Sequence, residues 1–163
     1  MSNIEFEHSF KVTDLEPFIS YCENNGYIKQ SVTTQNRVVF ECSENAKIIA
    51  RLTTETANNK TSTTLDFKNV NKKQGDLNIS TESIPLEITS SNRDAILSVL
   101  STLNFVEAAN NLRTRYVYVK SGVKFEIDDY IRPQAKVVAI EGEKQVVEKV
   151  YLELQDFIEE FKV

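Results

Sequence analysis

The chain has 163 residues, 40% of them hydrophobic and 26% charged, with a formal net charge of −5. Such a chain is long enough for one domain with its own core, too apolar for disorder, and without the ~20-residue apolar run of a membrane-spanning helix. The acidic balance excludes a fold-wide basic field for double-stranded nucleic acid, and Met1–Glu5 lacks the basic flank and apolar stretch of a signal peptide, so the cytoplasm is the expected compartment.

Alternation of period two dominates the chain. Ile4, Phe6, His8, Phe10 and Val12 fall on one strand face, and Glu5, Glu7, Ser9 and Lys11 on the other. Helical spacing follows at Leu15, Phe18, Ile19 and Cys22, with Thr13 and Glu16 placed as a capping box. Two-faced strands are then expected at residues 37–42, 47–53, 63–70 and 77–88. A second helix, opened by Ser90 or Ser91, carries Ile96, Leu97, Leu100 and Leu103. Strands resume at 113–120, 123–130 and 136–141, the first two joined by a tight turn at Ser121-Gly122. A third stripe, from Val146 to Phe161, is a packing face or a seam for a homodimer.

About eight strands with three helices make an α+β chain, one domain over residues 1–163, dominated by a largely antiparallel sheet. A sheet of this length curls or closes, so a barrel with helices outside is expected rather than a flat layer.

The charged strand faces decide the function. In a sandwich they face water; in a barrel they face the lumen, where charge is costly unless paired or built for a ligand. Glu5 and Glu7 share a face, as do Arg113 and Arg115, Asp66 and Lys68, and Lys124, Glu126 and Asp128. Like charges two apart weaken a plain surface strand; their repetition suits an acidic edge for cations and a basic edge for anions. Cys22 and Cys42 are the only cysteines, expected as buried thiols, and His8 is the only histidine, expected as a packing residue. That inventory leaves neither a Cys/His zinc site nor a His-based triad. Chemistry must come from carboxylates, Arg and Lys, with a hard metal ion if one is needed.

Glu5-Phe6-Glu7 in a first strand resembles the ExExK signature of the CYTH, or triphosphate tunnel metalloenzyme, family. In the same order, Thr64-Leu65-Asp66-Phe67-Lys68 resembles its strand ending in a phosphate-binding Lys. Ala95–Phe105 resembles its mid-chain helix, Leu112-Arg113-Thr114-Arg115-Tyr116 its basic pair, Phe125-Glu126-Ile127-Asp128 its acidic strand, and Ala139-Ile140-Glu141 its Glu-Ile-Glu. Three positions depart from the pattern: Ser9 stands for the signature Lys, Ile49 for the first residue of an Arg-x-Arg pair, and Ala139 for a glutamate.

The resemblance implies an eight-stranded tunnel that processes a small-molecule triphosphate or nucleotide with Mg²⁺ or Mn²⁺, by hydrolysis or cyclisation. It implies Glu5, Glu7 and Glu141 as metal ligands, with Glu126 and Asp128 in support. Arg51, Lys68, Arg113 and Arg115 would hold phosphates and, with Glu5 and Glu7, carry catalysis; Lys11 and Lys124 would add to substrate binding. The alternatives are a tunnel that binds a nucleotide, polyphosphate or other anion without turnover, and a barrel unconnected with phosphate.

Overall fold

The structure, a computed structural model, describes residues 2–163. Its strands are β1 (Ser2–Lys11), β2 (Ile28–Cys42), β3 (Asn45–Ala57), β4 (Lys60–Gln74), β5 (Leu77–Ser83), β6 (Leu86–Glu87), β7 (Phe105–Lys120), β8 (Val123–Arg132) and β9 (Ala135–Gly142). The helices are α1 (Glu16–Asn24), α2 (Arg93–Thr102), α3 (Lys144–Glu153) and α4 (Gln155–Phe161). The strands run β3-β2-β7-β8-β9-β1-β5-β4, and β4 pairs back with β3. Every pairing is antiparallel, so eight strands close into a barrel, with the two-residue β6 attached to β4 outside the ring. No helix among the described residues is long and apolar enough to cross a membrane.

The apolar faces point outward and the helices cover them. Phe10, Val12, Tyr118, Phe125, Ile127, Val138 and Ile140 pack with Phe18 and Cys22 of α1, Val147 of α3 and Ile158 of α4 in one cluster. Around α2, Leu100 meets Ala50, Leu52, Leu65 and Ile88 in a second. Phe18 is fully buried, so its truncation to Ala should cost about 3–5 kcal/mol. With the outer faces spoken for, alternation turns every second residue of each strand into the lumen.

Several sequence expectations change in detail. β2 begins at Ile28, not at residue 37, because Lys29–Asn36 lacks the alternating aliphatics that mark a half-buried strand; its inward residues there are polar, Thr33 and Gln35. The strand expected over 77–88 is split into β5 and β6, with Ile84-Pro85 between them. The third helix is broken at Leu154, which serves as C-cap of α3 and N-cap of α4. Its stripe packs on the core through Val147, Leu154 and Ile158. No capping box forms at α1: Leu15 is the N-cap, Thr13 Oγ1 donates to the carbonyl of Phe161, and Asp14 accepts from the Glu16 amide. Asn92, rather than a serine, caps α2.

Cys22 is buried as expected, whereas Cys42, at the end of β2, is half-buried. The Ser121-Gly122 turn has positive φ at both residues, 49° and 79°, the twist a two-residue hairpin requires. His8 is buried and stacks on Tyr151 at 3.8 Å. Ile4 escapes cover, at 67% exposure.

Candidate functional site

Register assembles the lumen. Glu7 of β1 lies opposite Glu141 of β9, and Lys124 of β8 is opposite Glu141 on its other side. Arg115 of β7 faces Asp128 of β8, Arg51 of β3 faces Asp66 of β4, and Lys68 of β4 faces Glu82 of β5. These side chains line one cavity of about 330 Å³, together with Ser9, Arg37, Arg113, Glu126, Tyr130 and Ala139. Past Glu5, Glu82, Lys124 and Glu141 it opens into a wider mouth of about 710 Å³, bordered by Ile4, Phe6, Ile28, Val119 and Val123.

At the mouth end, Glu5, Glu7 and Glu141 each offer a carboxylate oxygen, all within 4.8 Å of one another. Burial first, and then the charges of Glu126 and Glu5, push the Glu141 carboxyl up to about 8. Burial also raises Glu5, against the pull of Lys68, whose ammonium lies 2.9 Å from Glu5 Oε1. Three crowded carboxylates, as they stand in this group, are a donor set that a hard divalent cation satisfies, because it prefers carboxylate oxygens and replaces repulsion with attraction.

Farther in, the arginines are clamped. Arg51 makes a two-pronged bond to Asp66, at 2.7 and 2.8 Å, and reaches Glu82 at 2.7 Å. Arg115 holds Asp128 through two bonds of 2.7 Å and contacts Glu126. Arg113, 3% exposed, donates twice to Gln35 Oε1, once to Asp128, and to the Tyr130 hydroxyl. Lys124 bridges Glu126 at 2.9 Å and Glu141 at 2.5 Å. Burial opposes ionisation of Glu126, but Arg115 and then Lys124 prevail and hold its carboxyl down at about 2.

Most residues singled out in the sequence therefore meet: Glu5, Glu7, Arg51, Lys68, Arg113, Arg115, Lys124, Glu126, Asp128 and Glu141 all line the cavity. Glu126 and Asp128, expected to support a metal, lie outside the three-carboxylate group and are held by arginines and Lys124 instead. Lys11, expected to bind substrate, does not line this cavity; it borders a separate hollow with His8, Asp76 and Tyr151, where the end of β1 is tied to Val163. Arg37 and Glu82 line the lumen without having been picked out. The signal for Glu82 is its alternation with Asn78 and Ser80; for Arg37 it is the parity it shares with Gln35 and Val39 on β2.

No family model matches the chain, and no curated protein matches its sequence. Solved structures do match in shape. The PH1012 protein of Pyrococcus horikoshii superposes with a TM-score of 0.70 at 18% identity, over 93% of this chain and 90% of that one. The candidate adenylyl cyclase HpAC1 from Hippeastrum, described as having a dominant triphosphatase activity, gives 0.68 at 15% identity over 97% and 90%. A chain of the Schizosaccharomyces pombe Mediator head module gives 0.60 at 8% identity over 100% and 97%. Closed barrel, strand order and these superpositions agree with the order of the motifs, and the chain has the CYTH-type fold of adenylyl cyclase-like proteins.

Proposed function

We propose that the lumen binds a small-molecule triphosphate or nucleotide together with Mg²⁺ or Mn²⁺ and processes it, by hydrolysis or cyclisation. The observation that carries this reading is the meeting, in one cavity, of the Glu5–Glu7–Glu141 group with Arg51, Lys68, Arg113 and Arg115. A triphosphate brings roughly four negative charges, and phosphoryl transfer depends on cations placed where charge develops. Lumen carboxylates and lumen cations nearly balance here, so the pocket alone lacks the surplus to hold such an anion. A divalent ion on Glu5, Glu7 and Glu141 supplies that surplus and draws charge from the phosphoryl oxygens. The chain's own part is to orient the phosphates: the planar forks of Arg51 and Arg115 fix direction, while Lys68 and Lys124 add point charge beside the carboxylates. A cytoplasmic location goes with this reading and with two thiols that form no disulfide.

Binding without turnover is the second reading. Ala139 and Ser9 give the lumen no charge where β9 and β1 pair, and most of its cations already hold a carboxylate. A chain of the Mediator head module has the same fold. Two measurements decide. Phosphate release from tripolyphosphate and from ATP, with and without Mg²⁺ or Mn²⁺, should be metal-dependent; calorimetric binding with no release in any condition establishes the second reading. Mn²⁺ titrations should show tighter binding with tripolyphosphate present, each ligand favouring the other by the same factor. Glu5→Gln with Glu7→Gln should remove that coupling, and unchanged Mn²⁺ affinity in the double variant would make these glutamates structural.

A further inference from the structure

The barrel wall is incomplete along one edge of β1. Pairing with β5 stops at His8, opposite Leu77, while pairing with β9 runs on to Lys11, opposite Val137. Beyond His8 that edge meets no named strand, and residues 162 and 163 close over it instead: Val12 bridges Lys162, and the Val163 amide donates to the Lys11 carbonyl. Between β1, the Gly75-Asp76 turn and these two residues lies a hollow of about 190 Å³. It borders His8–Lys11, whereas the mouth borders Asn3–Phe6, so the two open at opposite ends of β1.

Three lysines from separate stretches of chain line this hollow: Lys11 from β1, Lys73 from β4 and Lys162 after α4. Lys162 pairs with Glu159 at 3.1 Å; among the described residues Lys11 and Lys73 are in no ion pair. Ser9 and Asn78 add side chains that can donate a hydrogen bond, and the acidic side chain of the lining, Asp76, is engaged by the Tyr151 hydroxyl. One wall is the stacked pair of His8 and Tyr151, in which His8 is 6% exposed and its Nδ1 has no partner among the described residues. A recess with an excess of one charge over low-dielectric walls focuses the field and gathers counter-ions. Ser9 lines the lumen as well, so the hollow lies one side chain behind it.

We propose that this hollow is a second anion site, separate from the lumen, for a single small tetrahedral oxyanion such as orthophosphate, held by Lys11, Lys73 and Lys162. Its size decides the class: about 190 Å³ admits one such ion with a few waters and falls below the roughly 300 Å³ at which pockets for organic ligands begin. Lysines suit the task, because a compact ammonium binds phosphate as a point charge and adjusts its direction freely. Bound there, the ion ties the end of β1, the end of β4 and residues 162 and 163 together, and so tightens the closure of the barrel. The site stands whether or not the lumen processes a triphosphate.

The test titrates metal-free protein with orthophosphate at pH 7 and constant ionic strength, read by amide NMR and by melting temperature. Without a divalent ion the lumen charges are nearly balanced, so the lumen does not compete. In the wild type the amides of residues 8–11, 73–78 and 161–163 should shift and saturate, and the melting temperature should rise with phosphate. Lys11→Met and Lys73→Met should each weaken binding roughly 5–10-fold, the scale of one partly exposed charge-assisted contact. Lys60→Met, at the β3–β4 turn, should leave the affinity unchanged. Shifts that do not saturate, shifts confined to the lumen strands, or an equal loss in Lys60→Met would overturn the assignment. So would wild-type affinity in both Lys11→Met and Lys73→Met. None of these outcomes bears on the triphosphate reading, which is tested with metal present.

Discussion

Replacing Glu141 by Gln should stabilise the metal-free protein, and by an amount that grows with pH. In the folded chain the Glu141 carboxyl titrates at about 8 against an ordinary value of 4.5, chiefly because it is buried, with Glu126 and Glu5 adding repulsion. The folded state thus holds this proton more tightly than the unfolded chain. The stability it brings is fully present below pH 4.5 and is lost as pH rises through 8. Between pH 4.5 and 7 the loss is about 3 kcal/mol at most, and at pH 5 it is under about 1 kcal/mol. Gln removes that loss, but Lys124 gives up a partner at 2.5 Å while keeping Glu126 at 2.9 Å, an offset of about 1 kcal/mol. The net gain at pH 7 should be about 1–2 kcal/mol, or roughly 3–6 °C in melting temperature for a chain of this size. The assay is thermal unfolding of wild type and Glu141→Gln with a chelator present, at pH 5 and pH 7. A variant that melts lower than wild type at pH 7, or a difference that is the same at both pH values, would refute the view of Glu141 as a carboxylate held at a cost.

Arg115→Ala should weaken tripolyphosphate binding by about 1.5–3 kcal/mol and also destabilise the fold by about 3 kcal/mol, since Glu126 and Asp128 are left buried with fewer partners; calorimetry and denaturant unfolding read the two effects separately. Gly142→Ala should cost about 1–3 kcal/mol in chemical denaturation, because Gly142 has φ 154° and a Cβ there would lie 2.4 Å from the carbonyl oxygen of Gly122. A thiol reagent should modify Cys42 in the native protein and reach Cys22 only on unfolding, because burial pushes the Cys22 thiol up to about 12; mass spectrometry showing equal rates would contradict that packing.

The fold was legible wherever one strand face was aliphatic. Phe10, Val12, Phe125, Ile127, Val138 and Ile140 announced both the strand and the side on which helices would lie, and the polar residues between them were thereby assigned to the lumen. It was illegible where both faces are polar. Lys29–Asn36 pairs with β7 over its length, yet its side chains carry no hydrophobic rhythm, and this hides Gln35, which holds Arg113. The carboxylates of the site were visible from their spacing on β1 and their place in β9. Their division of labour was not: Asp128 and Glu141 have the same chemistry, and only the register decides that the first meets two arginines and the second meets Glu5 and Glu7. Lys11 shares a parity with Glu7, but parity does not say where a strand leaves the barrel.

The pairing of β1 with β9 has a consequence for how this molecule is made. Phe6 pairs with Gly142 and Lys11 with Val137, so the ring stays open until β9 has been synthesised, and on a ribosome β1 waits with an unfilled edge through most of translation. Non-local closure of this kind is slow, and the waiting edge is the stretch a chaperone would have most reason to shield. Residues 161–163 then act as a latch: the Phe161 carbonyl accepts from the Thr13 amide, and the Val163 amide donates to the Lys11 carbonyl. Since the strand so fastened is the one bearing Glu5 and Glu7, a cut that removes those last residues loosens the acidic end of the lumen from a distance.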